Sequence, residues 1–481
     1  MVINFNIVYK VISRNLFIIS AALLFCTIIG IYYSENISAF IISSLTAFII
    51  GIVFFLITNK ELTEISIQRK EAYLTITLSW LFISLIGSLP YIISGAIPSF
   101  VDAFFESVSG FTTTGSSILT DIESLPKSIL FWRSLTHWIG GIGIIVLFII
   151  IMPTFQIGGY HLFTLESSVK EKIHPKIKSV GIRLLLIYIS LTIAEIVFLL
   201  FGRMNLFESV CHAFGTIATG GFSPKNTSIA NYSPYIQYVI MVFMLLSGTN
   251  FVIHYYLIKG KLKKVEENDE LKFFLGIVFF VGIIISATLF FKMQKPFEES
   301  FREAYFQVIS VLTCTGYATA DYLQWPISAW TIIFFAMFLG GSSGSTAGGI
   351  KMVRHLILFK NIGRNFKQLL SPHSVIPIKI NNKIMNADTN NSILTFIFIY
   401  LLIFLAGSLM LVLIGIDSIT AGGSVATCMA GIGPGIGTVG PANNFAHLPV
   451  LGKLILAFLM LVGRLEIYTI FILFTRTFWT R

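Results

Sequence analysis

Charge is what this chain has least of. Only 12% of its 481 residues are Asp, Glu, Lys or Arg, roughly half the share usual in a soluble domain. Meanwhile 55% are hydrophobic, 45 are Phe, and the mean hydropathy is +0.84. That balance excludes a soluble globule. Cysteine is also scarce. Cys26, Cys211, Cys314 and Cys428 lie far apart without CxxC or Cys/His spacing, which excludes a disulfide framework and a zinc site and leaves them as packing residues. Chemistry-bearing groups are few within the apolar segments, mainly Glu195, Arg464 and Glu466. An embedded enzyme needs more convergent groups than these, so the chain is read as a non-enzyme. The eight histidines, at 137, 161, 174, 212, 254, 355, 373 and 447, form no metal pattern; His212 reads as a packing or hydrogen-bonding residue. Gly435 to Gly440 fits GxGxxG, but it follows no strand and opens no Rossmann helix. The run from Gly340 has Ile350 where a phosphate-binding loop needs Lys. No nucleotide or covalent cofactor is expected in this chain.

What is present is a series of apolar runs. A span needs about 20 apolar residues. Ten candidates lie near 15–33, 37–58, 72–96, 131–153, 184–202, 235–258, 272–292, 327–370, 392–415 and 449–475, the eighth interrupted. The first is not read as a cleavable signal, because no small-residue cleavage motif follows and a second span comes soon after. The chain is therefore an all-α polytopic membrane protein lodged in a lipid bilayer. With the N-terminus inside, 24 of the 33 Lys and Arg fall on inside segments and 8 outside, Arg464 lying within the last span. This bias places both termini in the cytoplasm. It also accounts for the net charge of +10 as membrane-surface charge, so no nucleic-acid partner is implied.

The outside loops 97–130, 203–234, 293–326 and 416–448 are long, and each holds a half-length apolar stretch followed by Gly or Thr. Such stretches are too short to span and suggest re-entrant segments. Laid on one another they read DAFFESVSGFTTTGS, ESVCHAFGTIATGGF, EAYFQVISVLTCTGY and TAGGSVATCMAGIGP. The shared anchor is Gly115, Gly221, Gly316 and Gly433, at separations of 106, 95 and 117. Thirteen residues earlier stand Asp102, Glu208, Glu303 and Thr420. The repeating unit is span, re-entrant half-helix, Gly-bearing turn, span. Four such units share one orientation and can surround an axis along the membrane normal.

The short helices would enter with acids near their N-termini, as the helix dipole favours, and point partial negative charge at the axis. Rings of backbone carbonyls replace the water of a dehydrated monovalent cation, and glycine allows the backbone that aims them. The expected cation-binding stretches are Thr112, Thr113, Thr114 and Gly115; Ala218, Thr219, Gly220 and Gly221; Thr313, Cys314, Thr315 and Gly316; and Ala430, Gly431, Ile432 and Gly433. The expected divisions are 1–66 for two leading helices, then repeats over 67–154, 155–260, 261–375 and 376–481.

The third repeat's second span is broken by Gly340, Gly341, Ser342, Ser343, Gly344, Ser345, Thr346, Ala347, Gly348 and Gly349. So much glycine and serine makes a poor helix, and mid-membrane backbone of this kind must line a cavity or be packed in protein. The segment reads as a mobile loop that blocks or opens the path, the alternative being a helix kink for packing. Arg464, after Gly463, is a charge at membrane depth. Such a charge costs at least about 2.5–3.5 kcal/mol on insertion scales, so it either forms a structural ion pair, with Glu195 or Glu466 as candidate partner, or stands below the filter as a positive charge that hinders cations and holds the loop. The external acids, Asp102, Glu106, Asp121, Glu123, Glu208, Glu298, Glu299, Glu303, Asp321 and Asp417, can concentrate cations at the mouth.

These motifs, GFTTTGSS at 110–117, ATGGFSPKN at 218–226, TCTGYATAD at 313–321, GIGPGIG at 431–437, GGSSGSTAGGIK from Gly340 and GRLEIYT at 463–469, resemble the TrkH family. These are the potassium-translocating membrane subunits of Trk-type uptake systems in the Trk/Ktr/HKT superfamily. The resemblance covers essentially the whole chain, and the two leading helices fit TrkH rather than its shorter relatives. The fourth loop departs from the pattern, lacking the upstream acid and carrying Pro434. The resemblance implies K+ as the transported ion, with Gly115 at the position where serine accompanies sodium permeation in some plant members. It implies a selectivity filter at the four glycine turns and an intramembrane gate formed by Gly341 to Gly349 with Arg464. It also implies a homodimer, a cytoplasmic nucleotide-binding regulatory ring like TrkA, and a bacterial cytoplasmic membrane. Coupled symport with protons or sodium is the alternative, with Glu195 and Glu466 as proton carriers.

Overall fold

The computed structural model describes residues 3–58, 69–150 and 173–480. The chain opens with α1 (Phe5–Tyr32) and α2 (Ser38–Ile57). Four units follow. The first is α3 (Arg69–Ile93), α4 (Phe100–Phe111) and α5 (Lys127–Ile150). The second is α6 (Ile173–Phe201), α7 (Leu206–Ile217), α8 (Pro234–Ser247) and α9 (Phe251–Ile258), with α10 (Leu262–Glu266) after it. The third is α11 (Asp269–Met293), α12 (Phe297–Leu312), α13 (Ile327–Ala336) and α14 (Met352–Leu370). A hairpin of β1 (Lys379–Ile380) and β2 (Lys383–Ile384) leads to the fourth, α15 (Ala387–Leu413), α16 (Ser418–Ala430), α17 (Val450–Arg464) and α18 (Ile467–Phe471), and α19 (Arg476–Trp479) ends the chain.

The fold is the expected one: four helix, re-entrant helix, helix units around a central axis, plus two leading helices. Among the described residues six helices are long and apolar enough to cross a membrane, eight if each bent pair counts as one. Their outer faces carry exposed Phe25, Phe48, Leu56, Phe198, Phe280 and Leu405, surface suited to acyl chains. The first span begins at Phe5 rather than 15, because a helix tolerates Lys10 and Arg14 near its end where an apolar-run count stops. The expected divisions at 66/67 and 154/155, and the last residues of the run 131–153, lie outside the described residues.

The four short helices α4, α7, α12 and α16 start where local chemistry dictates. Ser99, Asn205 and Asp417 each accept a hydrogen bond from a backbone N–H three residues on, Asp102, Glu208 and Thr420. Each such cap is worth about 1 kcal/mol. α12 follows Pro296 and places Glu298 and Glu299 in its first turn instead, where negative charge suits the helix dipole.

Two bends were not legible in the hydropathy. α8 and α9 meet at 99°, and α17 and α18 at 113°. At the first, Gly248 has Thr313 Cγ2 where a Cβ would be; only glycine lets the chain turn this close to the third glycine turn. At the second, Glu466 takes a left-handed φ of 63°. The interrupted eighth run is the ten-residue α13, the Gly/Ser loop and then α14, on which Phe359, Phe366, Lys367 and Leu370 are exposed and Lys360 and Arg364 half-buried.

Candidate functional site

The four glycine turns share one backbone signature. The anchor and the residue two before it both lie in the left-handed region: Thr113 and Gly115 at 53° and 80°, Thr219 and Gly221 at 55° and 80°, Cys314 and Gly316 at 56° and 81°, Gly431 and Gly433 at 71° and 101°. Alternating hand along a strand turns successive carbonyls to the same side. A left-handed non-glycine costs roughly 1–2 kcal/mol, so Thr113, Thr219 and Cys314 sit in a backbone that surrounding structure must hold.

The glycines are also required by their neighbours. A Cβ on Gly115 would overlap the carbonyl oxygen of Gly220. One on Gly221 would overlap that of Thr315, and one on Gly316 that of Ile432. A Cβ on Gly433 would stand 2.9 Å from the carbonyl oxygen of Thr114. The order is first to second, second to third, third to fourth, fourth to first, a closed ring. Of the four expected stretches, Gly115, Gly221, Gly316 and Gly433 and the carbonyls of Thr114, Gly220, Thr315 and Ile432 make these contacts, and the fourth contact is the loosest.

Polar ties close the same ring outside the axis. Arg133 donates to the Ser223 carbonyl at 3.2 Å. Tyr317 donates through its hydroxyl to the Phe222 carbonyl at 3.3 Å. Tyr322 donates to the Gly435 carbonyl at 2.6 Å, and Ser116 to the Gly433 carbonyl at 3.1 Å. By chain position Arg133 belongs to the outside basic residues, and Glu106 to the acids that could draw in cations. Both are instead buried in one ion pair at 2.9 Å, with exposures of 2% and 0%. Glu106 also accepts from Ser117 Oγ and the Ile118 N–H, and the guanidinium lies 4.0 Å from the Phe222 ring centroid. One turn on, His137 places Nε2 where it accepts from the Phe222 N–H at 3.2 Å, so Nδ1 carries the proton and donates to the Gly110 carbonyl at 2.8 Å. Arg133 and His137, four apart in α5, thus brace the second turn from behind. That spacing inside an apolar run was the signal available in the sequence.

Leaving Glu106 buried and unpaired should cost about 3–5 kcal/mol. Arg133→Met is therefore expected to lower the detergent melting temperature clearly, and adding Glu106→Gln to recover part of the loss. Equal melting of single and double variants would remove the pair from the ring's support.

Other external acids are likewise occupied, Glu123 by Lys225, Glu299 by Lys295 and Glu298 by Arg302 among them. Asp102 pairs with Lys453 at 2.6 Å and Glu303 with Lys295 at 2.8 Å, and Glu208 accepts from the Tyr232 hydroxyl at 2.8 Å. These contacts tie the first two turns of the short helices to their neighbours. His212 makes hydrogen bonds to the Glu208 carbonyl and the Ser223 hydroxyl, as a packing residue would.

The Gly/Ser loop lies against the inner side of the ring. Thr346 Oγ1 donates to the Ile217 carbonyl at 3.0 Å, at the end of α7. Gly348 is pressed against the Ala430 carbonyl, and a Cβ on Gly349 would stand 3.4 Å from Cys314 Sγ. Both bends grip the loop. At the first, Ser342 N–H donates to the Gly248 carbonyl and Phe251 N–H to that of Gly344. At the second, Arg464 donates to the Thr346 carbonyl at 2.8 Å and, from its other terminal nitrogen, to the Gly140 carbonyl at 3.3 Å. Neither expected carboxylate meets Arg464: Glu466 pairs with Arg354, and Glu195 makes no such bond. Leu465 ends the helix between them, so the bend turns Glu466 away. The loop's remaining residues, Gly341, Ser343, Ser345 and Ala347, lie in the same segment, where Ser345 donates to the Ser342 carbonyl at 2.6 Å.

A profile of the TrkH family, described as cation transport proteins, matches residues 36–480. The chain belongs to the TrkH family. It is 35% identical over 484 residues to the Trk system potassium uptake protein TrkH of Escherichia coli K12, covering 99% of both chains. It is 34% identical over 459 residues to TrkG of the same organism, covering 94% of each. The crystal structure of the potassium transporter TrkH from Vibrio parahaemolyticus matches with a TM-score of 0.91 at 31% identity, covering 99% of this chain and 100% of that one. The closed ring and the loop beneath it are thus features of a member of a transport family, and the spans place it in a membrane.

Proposed function

We propose that the chain is the potassium-conducting membrane subunit of a Trk-type uptake system in a bacterial cytoplasmic membrane, both termini inside. Potassium enters from outside, sheds water against the carbonyls at Thr112 to Gly115, Ala218 to Gly221, Thr313 to Gly316 and Ala430 to Gly433, and passes inward beneath Gly341 to Gly349 and Arg464. The observation that carries this reading is the closed ring, in which each anchor glycine abuts the next repeat's carbonyl; the potassium uptake named for the relatives supports the choice of ion. A ring held from behind by Arg133, His137, Tyr317 and Tyr322 keeps its diameter, and a fixed set of carbonyls favours one ion size. The lower loop is the gate, and Arg464 both fastens it and sets a positive charge below the ring. A homodimer and a cytoplasmic nucleotide-binding ring like TrkA complete the proposed assembly.

The test is flux into liposomes holding the purified chain, at set voltage, with and without the regulator. Voltage-driven potassium flux well above sodium flux, with no pH or sodium gradient, supports a selective pore. Equal flux of both ions would overturn the selectivity. Flux appearing only with a proton gradient would favour symport, for which there is one specific observation: Glu195 is wholly buried beside Thr216 with neither oxygen in hydrogen-bond geometry.

The gate makes a second prediction. Cys314 is 0% exposed and covered by Gly349. A small water-soluble thiol reagent supplied from the cytoplasmic side should modify it at least about tenfold faster when the regulator opens the pore, read by mass spectrometry of the labelled peptide. Equal rates in both states would contradict a loop that covers the ring.

A further inference from the structure

The loop has a third hold, from an element that belongs to neither bend. Glu270 stands at the start of α11, buried at 5% exposure. Its Oε1 accepts from the Ser343 N–H at 2.6 Å and from the Val353 N–H at 3.1 Å. Ser343 lies in the loop and Val353 in the first turn of α14, so one carboxylate oxygen joins the loop to the helix that follows it. α14 has no side-chain cap of its own; Lys351, at its N-cap, makes none. A carboxylate at a helix N-terminus is favoured by the dipole, and ionised acceptors make the stronger hydrogen bonds. The loop cannot leave the ring in one piece without breaking one of these bonds or moving the start of α11 with it.

The neighbouring residue ties this same turn to the hairpin. Asp269 accepts from Lys360 Nζ at 2.8 Å and from the Asn381 N–H at 3.2 Å, and its own N–H donates to Asn381 Oδ1 at 2.8 Å. Asp269 therefore holds β1–β2 and α14, while Glu270 holds the loop. A displacement of the hairpin or of α14 reaches the loop through two adjacent residues.

We infer that Glu270 is the latch of the loop, a positioning residue that keeps it closed and couples it to the hairpin at Lys379–Ile384. This rests on the loop being the gate. Liposomes holding the chain alone are compared for the parent, Glu270→Gln, Glu270→Ala and a variant lacking residues 343–347. The amide keeps an acceptor but loses the charge, so the expected order of regulator-free potassium flux is alanine above glutamine above parent. Alanine is expected to gain at least about tenfold, with the potassium-to-sodium ratio unchanged and Cys314 labelled faster in proportion. If the deletion raises flux and neither Glu270 variant does, the latch is wrong and the gate stands. If the deletion leaves flux unchanged, the gate reading falls and the latch with it. A rise shared equally by potassium and sodium would show damage to the ring and overturn the assignment. Should the alanine variant not insert, the glutamine variant and its Cys314 labelling decide alone.

Discussion

Gly316→Ser is expected to abolish selective transport. Of the four anchors it is the most confined: it lies at φ 81° and a Cβ there would run into the Ile432 carbonyl and approach Pro434 Cδ to 3.0 Å. The left-handed backbone alone costs a serine roughly 1–2 kcal/mol. The overlap is with backbone, which cannot rotate aside, so the neighbouring fourth turn must move. Because selectivity follows from the number and placement of carbonyls, a displaced turn loses the distinction between potassium and sodium. A loss of about 2–3 kcal/mol of preference is roughly 30- to 150-fold in the flux ratio. The same substitution at Gly115 and Gly221 should be nearly as severe, since each faces a carbonyl equally directly. Gly433→Ser should be the mildest, because its nearest neighbour leaves 2.9 Å. Flux ratios for the four variants check this order; four equal effects, or a mild Gly316→Ser, would mean that ring geometry does not set selectivity.

Arg464→Ala is expected to have the opposite effect on total flux. It removes the bonds to the Thr346 and Gly140 carbonyls and the positive charge beside the path. A hydrogen bond from a charged donor is worth about 1.5–3 kcal/mol, which converts to roughly a 10- to 150-fold shift toward the open loop. Potassium flux without regulator should rise by that order while the ion ratio stays as in the parent, because Arg464 does not touch the glycine anchors. Unchanged regulator-free flux would show that Arg464 does not fasten the gate.

Much of this fold is legible in the sequence because the bilayer imposes coarse rules. Apolar length gives the spans, and four glycines in register give the repeat and the turns. The acids at 102 and 208 mark the starts of α4 and α7, whereas Glu303 falls in the second turn of α12, whose first turn holds Glu298 and Glu299. What is not legible is contact. Nothing local in the sequence says that Glu106 meets Arg133 or that Glu466 meets Arg354, 112 positions away. The partners of Arg464 are backbone carbonyls, which carry no side-chain signature at all; an acid was therefore the natural but mistaken expectation. The bends escape for a related reason. Hydropathy reports how apolar a segment is and is blind to its direction, so 235–258 and 449–475 each read as one straight span. The loop's composition showed that it could not be a helix, but the grip on it depends on those two bends and on Glu270.

The ring itself can be tested by locating ions. Crystals of the chain grown with rubidium in place of potassium should show its anomalous signal on the central axis, bounded by the carbonyls of Thr114, Gly220, Thr315 and Ile432, and sodium at equal concentration should not displace it. Rubidium bound away from that axis, or readily replaced there by sodium, would contradict a potassium-selecting ring of carbonyls.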